Sequence, residues 1–263
     1  MSWSPIPPPP PEQMPKPPDG VTRQGLPYAQ RGHIGIDAAG CQNTNGDDCG
    51  ASVLFEGQIP VADRAFINTV FPIGAAPFNV GNPTIGASYV GRVMKKLWIT
   101  GGGDLGMPLI ADSFSGLGST TFQAAFPRAL WNAHHYFPNI VPLTVNLGLE
   151  FHVSIVELRA ELDPSLWFPL AGEDFSGAFY HAFEVQIGHG IGGGLRLQGV
   201  VFGPTDESYQ AALQPFFVVS RELGYLRTGL MMPLNAPLGP PFAETDSGSG
   251  AWGFNVALGI HVD

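Results

Sequence analysis

The stretch LEFHVS, residues 149–154, places an acid, an imidazole and a hydroxyl at alternate positions: Glu150, His152 and Ser154. A nucleophile, a base and an orienting acid are the inventory of a hydrolase. On a strand the three share one parity, but residues two apart stand about 7 Å from each other at the backbone, too far for the contact that activates a nucleophile. The pair His134 and His135, between Trp131 and Tyr136, could hold a metal only with ligands from elsewhere, and packing within a loop is the plainer reading. GIGGGLR and TGGGD are glycine-rich but lack the Gly-Lys-Ser/Thr of a phosphate loop. No catalytic residue, metal site or cofactor is expected, and the chain reads as a non-enzyme.

Two other patterns carry chemistry. In CQNTNGDDC, Cys41 and Cys49 close one short polar loop, which suits a disulfide in an oxidising compartment; two free thiols are the alternative. In VELRAELDPSLWF, residues 156–168, the charges Glu157, Arg159, Glu161 and Asp163 alternate with Val156, Leu158, Ala160 and Leu162. Alternation makes a strand with one oily and one wet face. A helix is the rival, since Leu158, Leu162 and Leu166 recur at spacing four, but Pro164 opposes it and the neighbouring segments decide for a strand.

Those neighbours repeat the pattern. LTVNLGLEFHV sets Leu143, Val145, Leu147, Leu149 and Phe151 against Thr144, Asn146, Gly148, Glu150 and His152. AFYHAFEVQIG and WGFNVALGIHV alternate in the same way, with His181 alone intruding on an oily face. Strands are expected at 31–38, 52–60, 64–73, 84–92, 96–107, 143–152, 156–168, 178–188, 194–203, 209–219, 224–233 and 251–262. After the first, long loops alternate with tight turns such as VAD, VMK, SIV and SREL, as in a membrane barrel with loops on one rim and turns on the other. The exception is 108–142, whose piece TFQAAFPRALWNAHHYF reads as a short helix interrupted at Pro127, placed either inside the lumen as a constriction or over the outside.

Composition agrees. With 35 Gly and 26 Pro in 263 residues, short strands and turns are favoured over long helices. A net charge of -10 without a basic tract argues against nucleic acid as a partner. No apolar run reaches about 18 residues, so any membrane crossing is made by strands. The oily parity is almost purely apolar, and Trp98, Phe151, Phe168, Phe179, Phe217 and Trp252 fall near strand ends, as in an aromatic belt facing lipid. Residues 1–30 are proline-rich and read as an extended polyproline II tail, a linker or a docking peptide for a periplasmic partner. They lack the basic-then-apolar pattern of a secretory signal.

From Arg31 to Asp263 the chain resembles a Gram-negative outer-membrane β-barrel of the small channel or porin-like kind. The resemblance rests on the strand alternation, GNPTIGASYV after a long loop and the closing strand WGFNVALGIHV. It implies an all-β fold: a single transmembrane, antiparallel, up-and-down barrel of about 12 strands, embedded in the outer-membrane bilayer with both termini periplasmic.

The inward parity would then line a lumen. On the first two strands that face carries Asp37, Glu56 and Gln58; on the central pair Asn146, Glu150, His152, Glu157, Arg159 and Glu161. Beyond them follow Glu184, Gln186, Arg196, Gln198, Gln214, Arg227 and Asn255. Acids outnumber bases, which favours passive passage of small polar or cationic solutes over anions. The same charges could instead pair across a narrow interior and only rigidify it. The alternative function is a closed structural or adhesion barrel that binds a partner through its long loops, with an outer-membrane hydrolase a more distant third.

Overall fold

In the computed structural model the described residues are 20–21, 27–28 and most of 32–262, with breaks at 44, 63, 77, 95, 111–121, 171–174, 189, 204–208, 222, 236–237, 240–243 and 246–247. The 1–30 tail lies outside them, apart from Gly20–Val21 and Pro27–Tyr28, which pair antiparallel. Each alternating segment is a strand: β1 Gly32–Asn43, β2 Asp48–Ala62, β3 Ala65–Ala76, β4 Thr84–Met94, β5 Leu97–Gly106 and β6 Ile140–Val153. The series continues with β7 Val156–Pro169, β8 Ser176–Ile187, β9 Ile191–Gly203, β10 Tyr209–Arg221, β11 Gly224–Pro233 and β12 Ala251–Val262.

Every strand pairs antiparallel with its sequence neighbour, and β12 pairs with β1 from Ala251↔Asn43 to Val262↔Gly32, so the sheet closes into a 12-stranded barrel. A short extra strand, Phe78–Val80, pairs with β3. Closure satisfies the backbone N–H and C=O groups within the wall, which a lipid-exposed sheet requires. Two prolines interrupt the ladders: the β7–β6 register lapses at Asp163 and Pro164, and the β10–β11 register at Gln214 and Pro215. A proline has no N–H to donate there.

The two faces are inverted relative to a soluble protein. On β6 the apolar Leu143, Val145, Leu147, Leu149 and Phe151 are exposed, while Thr144, Asn146 and Glu150 are buried inside. β7 repeats this, with Leu162, Leu166 and Phe168 outward and Glu157, Arg159, Glu161 and Asp163 inward. An apolar band that encircles the molecule would be an aggregation surface in water and is the expected surface in lipid. Phe151, Phe168, Phe179 and Phe217 belong to it. Trp98 does not: it points inward and packs with Phe66 and Val90, against the expectation of an outer belt position. In LWITGGGDLG the three glycines erase the alternation that would have shown its parity.

Tight turns join β2 to β3, β4 to β5, β6 to β7, β8 to β9 and β10 to β11 on one rim, where β1 begins and β12 ends; longer connections occupy the other. At the long-loop rim Cys41 and Cys49 form a disulfide that staples the β1–β2 hairpin. Asn43 Oδ1 accepts from the N–H groups of Asn45 and Asp47 at 3.0 and 2.9 Å, so the loop is held by its own polar side chain.

The segment between β5 and β6 is partly helical, but the expected helix differs in kind. It consists of two 3-10 pieces, Phe122–Arg128 and Ala133–Tyr136. Pro127 is tolerated near the end of the first, and the break comes after it, where Ala129, Leu130 and Asn132 take positive φ. The segment is folded into the barrel: Ala124, Ala125, Leu130 and Ala133 are fully buried. Its backbone lies against the wall at Gly50 and Gly253, where a Cβ would collide with the carbonyl oxygens of Gln123 and Pro127.

Candidate functional site

The barrel interior divides into two layers. Near the short-turn rim it is filled by charged side chains that the wall supplies. Arg159 on β7, Arg196 on β9 and Arg227 on β11 converge on Glu184 of β8, at 2.7, 3.6 and 3.0 Å. Arg196 also donates to Glu161 at 2.7 Å and to Gln198 at 3.2 Å, and Arg159 contacts Glu157 and lies 3.5 Å from Glu150. Arg227 stacks over Phe216, with its guanidinium carbon 3.7 Å from the ring centre. His152 contacts Glu150 and stands 3.7 Å from Glu157. Strand alternation explains the gathering: in a closed barrel every second residue points at the axis, and inward neighbours on adjacent strands meet.

Nearer the long-loop rim the inserted segment takes over. Arg128 donates to Ser52 and to the Asp37 carbonyl at 2.8 Å, and pairs with the Asp37 carboxylate at 3.2 Å. Gln198 donates to the Arg128 carbonyl at 2.9 Å, which ties the segment to the opposite wall. Trp131 packs edge-on against Tyr180, and Arg196 stacks on the Trp131 ring, its guanidinium carbon 4.8 Å from the ring centre. Asn82, wholly buried, clamps the far end: its amide donates to the carbonyls of Phe137 and His134 at 2.6 and 3.2 Å and accepts from the N–H groups of Leu109 and Ile110. His135 donates from Nδ1 to the Asn82 carbonyl, 2.9 Å away, and burial holds its pKa down at about 4. Between the layers Asp37, Arg128, Trp131, Gln198, Gln214, Met231 and Asn255 line a small pocket of about 20 Å³, room for a single water.

The residues expected on the inner face are all buried inside the barrel except Gln58 and His152, which are half-buried. Gln58 lies toward the short-turn end, where its amide reaches Ser88 at 3.5 Å, and Glu56 is one inward position further in. Asn146 donates to Asp104, and Gln214 donates to Asn255 at 2.7 Å. Gln186 sits opposite Glu157 on β8. Ser154 falls in the β6–β7 turn at positive φ and is exposed, while the His152 ring turns to the two glutamates. His134 and His135 pack in the inserted segment, His134 3.3 Å from the Tyr180 hydroxyl.

Sequence reasoning missed Arg128, Asn82 and Trp131 as interior groups; Tyr180 falls on the inward parity with Glu184, as its alternation implies. One signal was available: Arg128 is the only Arg or Lys between Gly106 and Ile140, in a long loop next to a lumen with surplus acid.

Closed 12-strand architecture, inverted faces and alternating rims settle the fold. The chain has the fold of an outer-membrane β-barrel. Solved barrels align over 88% of its length. An outer membrane channel from Pseudomonas putida F1 matches at TM-score 0.57 and 11% identity over 96% of its own chain. The NanC porin matches at 0.53 and 6% over 99%, and the KdgM porin at 0.52 and 8% over 100%. At these identities the likeness is one of fold. No protein-family model matches the sequence, and no curated protein matches it.

Proposed function

We propose that this barrel is an outer-membrane channel that passes small polar solutes and prefers cations. It would sit with the short-turn rim and both ends of the barrel sheet on the periplasmic side. The observation that carries the reading is the sign of the interior: among the described residues, seven buried carboxylates, from Asp37 to Glu184, against four buried arginines. In a low-dielectric wall that imbalance lowers the energy of a cation on the axis and raises that of an anion. The 3-10 segment narrows the long-loop half, so conductance would be small and sensitive to the segment's position.

Planar-bilayer recording of the detergent-purified protein under a salt gradient is the test. Discrete openings whose reversal potential follows the cation gradient are expected; anion-following openings overturn the selectivity, and a protein that remains soluble without detergent overturns the membrane assignment. A closed barrel that binds a partner through its loops is the second reading. It is favoured by the burial of the inserted segment and by the pairing of the interior charges with one another, and insertion without conductance would decide for it.

A further inference from the structure

The β6–β7 turn at Ser154 and Ile155 does more than reverse the chain. It brings together Glu150 and His152, two apart on the inward parity of β6, and Glu157, directly opposite His152 in the ladder. One donor atom from each lies within 4.8 Å of the others. Both glutamates are almost fully buried, and the imidazole at the mouth of the barrel is 11% exposed.

A separate observation points to something missing. Gln186, opposite Glu157 on β8 and only 5% exposed, has an amide oxygen without a hydrogen-bond partner. A buried acceptor left unpaired is destabilising, and a bound cation would relieve it. Two carboxylates and an imidazole nitrogen thus crowd one corner of the lumen, with the Gln186 side chain on the adjoining strand at the register position of Glu157. The cation beside them, Arg159, reaches both glutamates, contacting Glu157 through Nη2 and standing 3.5 Å from Glu150 through Nε, while Nη1 holds Glu184 at 2.7 Å. One guanidinium is thus shared among three carboxylates.

We propose that a divalent transition-metal cation binds at this short-turn mouth, ligated by Glu150, His152 and Glu157, with the Gln186 amide oxygen as a fourth donor. Mixed nitrogen and oxygen donors suit Zn²⁺, Co²⁺ or Ni²⁺ better than Mg²⁺ or Ca²⁺, which favour all-oxygen shells. The two carboxylates neutralise the added charge. Arg159 gives up its contacts with Glu150 and Glu157 but keeps Glu184, so no buried charge is orphaned by binding. Donors around a tetrahedral Zn²⁺ stand about 3–3.5 Å apart, so the side chains must close by about 1 Å, a rotamer adjustment of the glutamates. The imidazole, open to solvent along one edge, leaves a narrow entry path. The site does not depend on whether the lumen conducts.

Isothermal titration of the chelator-stripped, detergent-purified full chain with ZnCl₂, with MgCl₂ as the comparison, tests it. One Zn²⁺ site is expected that Mg²⁺ does not fill, with affinity falling at least about tenfold in His152→Ala and in Glu157→Gln and unchanged in His261→Ala. Co²⁺ should show a visible ligand-field spectrum that His152→Ala abolishes. Heat-modifiable migration on gels confirms that each variant folds; should Glu157→Gln not fold, His152→Ala, at the more accessible of the positions, carries the test. Absence of Zn²⁺ binding to the folded protein, or binding that both variants leave unchanged, overturns the site.

Discussion

The two layers of the interior are filled by different means. At the short-turn end the strands fill the lumen with their own side chains, and the filler is electrostatic: three arginines gathered on Glu184, with Glu150, Glu157 and Glu161 around them. At the long-loop end a segment leaves the wall and folds back in, and the filler is largely aromatic and alanine-rich, anchored by one cation and one asparagine. A barrel of this width can therefore be packed without narrowing the wall, either by lengthening inward side chains or by inserting chain. The first way ties neighbouring strands to each other; the second adds a part that can leave.

The largest difference should appear when that part is removed. Replacing residues 122–136 with a short Gly-Ser linker is expected to raise single-channel conductance several-fold while the protein keeps its heat-modifiable migration. Unchanged conductance would make the charged layer the narrower one. Next, Glu184→Gln removes the shared counter-charge of three buried guanidiniums and should destabilise the barrel by about 3–5 kcal/mol in urea unfolding followed by tryptophan emission. Arg128→Met should cost less, about 2 kcal/mol, and act on the inserted segment, with noisier channel openings as its signature. If it matched Glu184→Gln, the two layers would be one cooperative unit.

The smallest effect is that of pH on the inserted segment. His135 is buried neutral, its pKa near 4 against about 6.5 when unfolded, so the undocked form binds more protons between those values and docking weakens as pH falls. At about pH 5.5 the loss should be about 1 kcal/mol, read as increased open-channel noise that His135→Asn removes.

The difference between the layers also governs what could be read from the chain alone. The wall and its inward charges follow from a period of two, which VELRAELDPSLWF and LTVNLGLEFHV carry without interruption, so both their strands and their faces were legible. Where the period fails, so did the reading. Trp98 precedes a glycine run and was given the wrong face. The inserted segment has no period, and the partners of Arg128 lie 76 and 91 residues away at Ser52 and Asp37. Whether it lay inside or outside depended on contacts between distant parts of the chain, and those leave no local spacing. Strand ends were also underestimated: β2 begins at Asp48, because it runs through the disulfide-bonded hairpin where small polar residues replace the alternation.

The seam between β1 and β12 has a consequence for how the molecule is made. Its twelve residue pairs join positions more than two hundred residues apart, whereas the other ladders join sequence neighbours. Hairpins such as β6–β7 and β8–β9 can zip locally and early, but the seam can close only after all ten intervening strands have been laid down, and it carries the greatest loop-closure cost. Until then the growing sheet has two open edges with unpaired N–H and C=O groups and an oily face with no lipid around it. The order of assembly is therefore built into the topology: the seam closes last, and until it does the sheet stays open to misassociation.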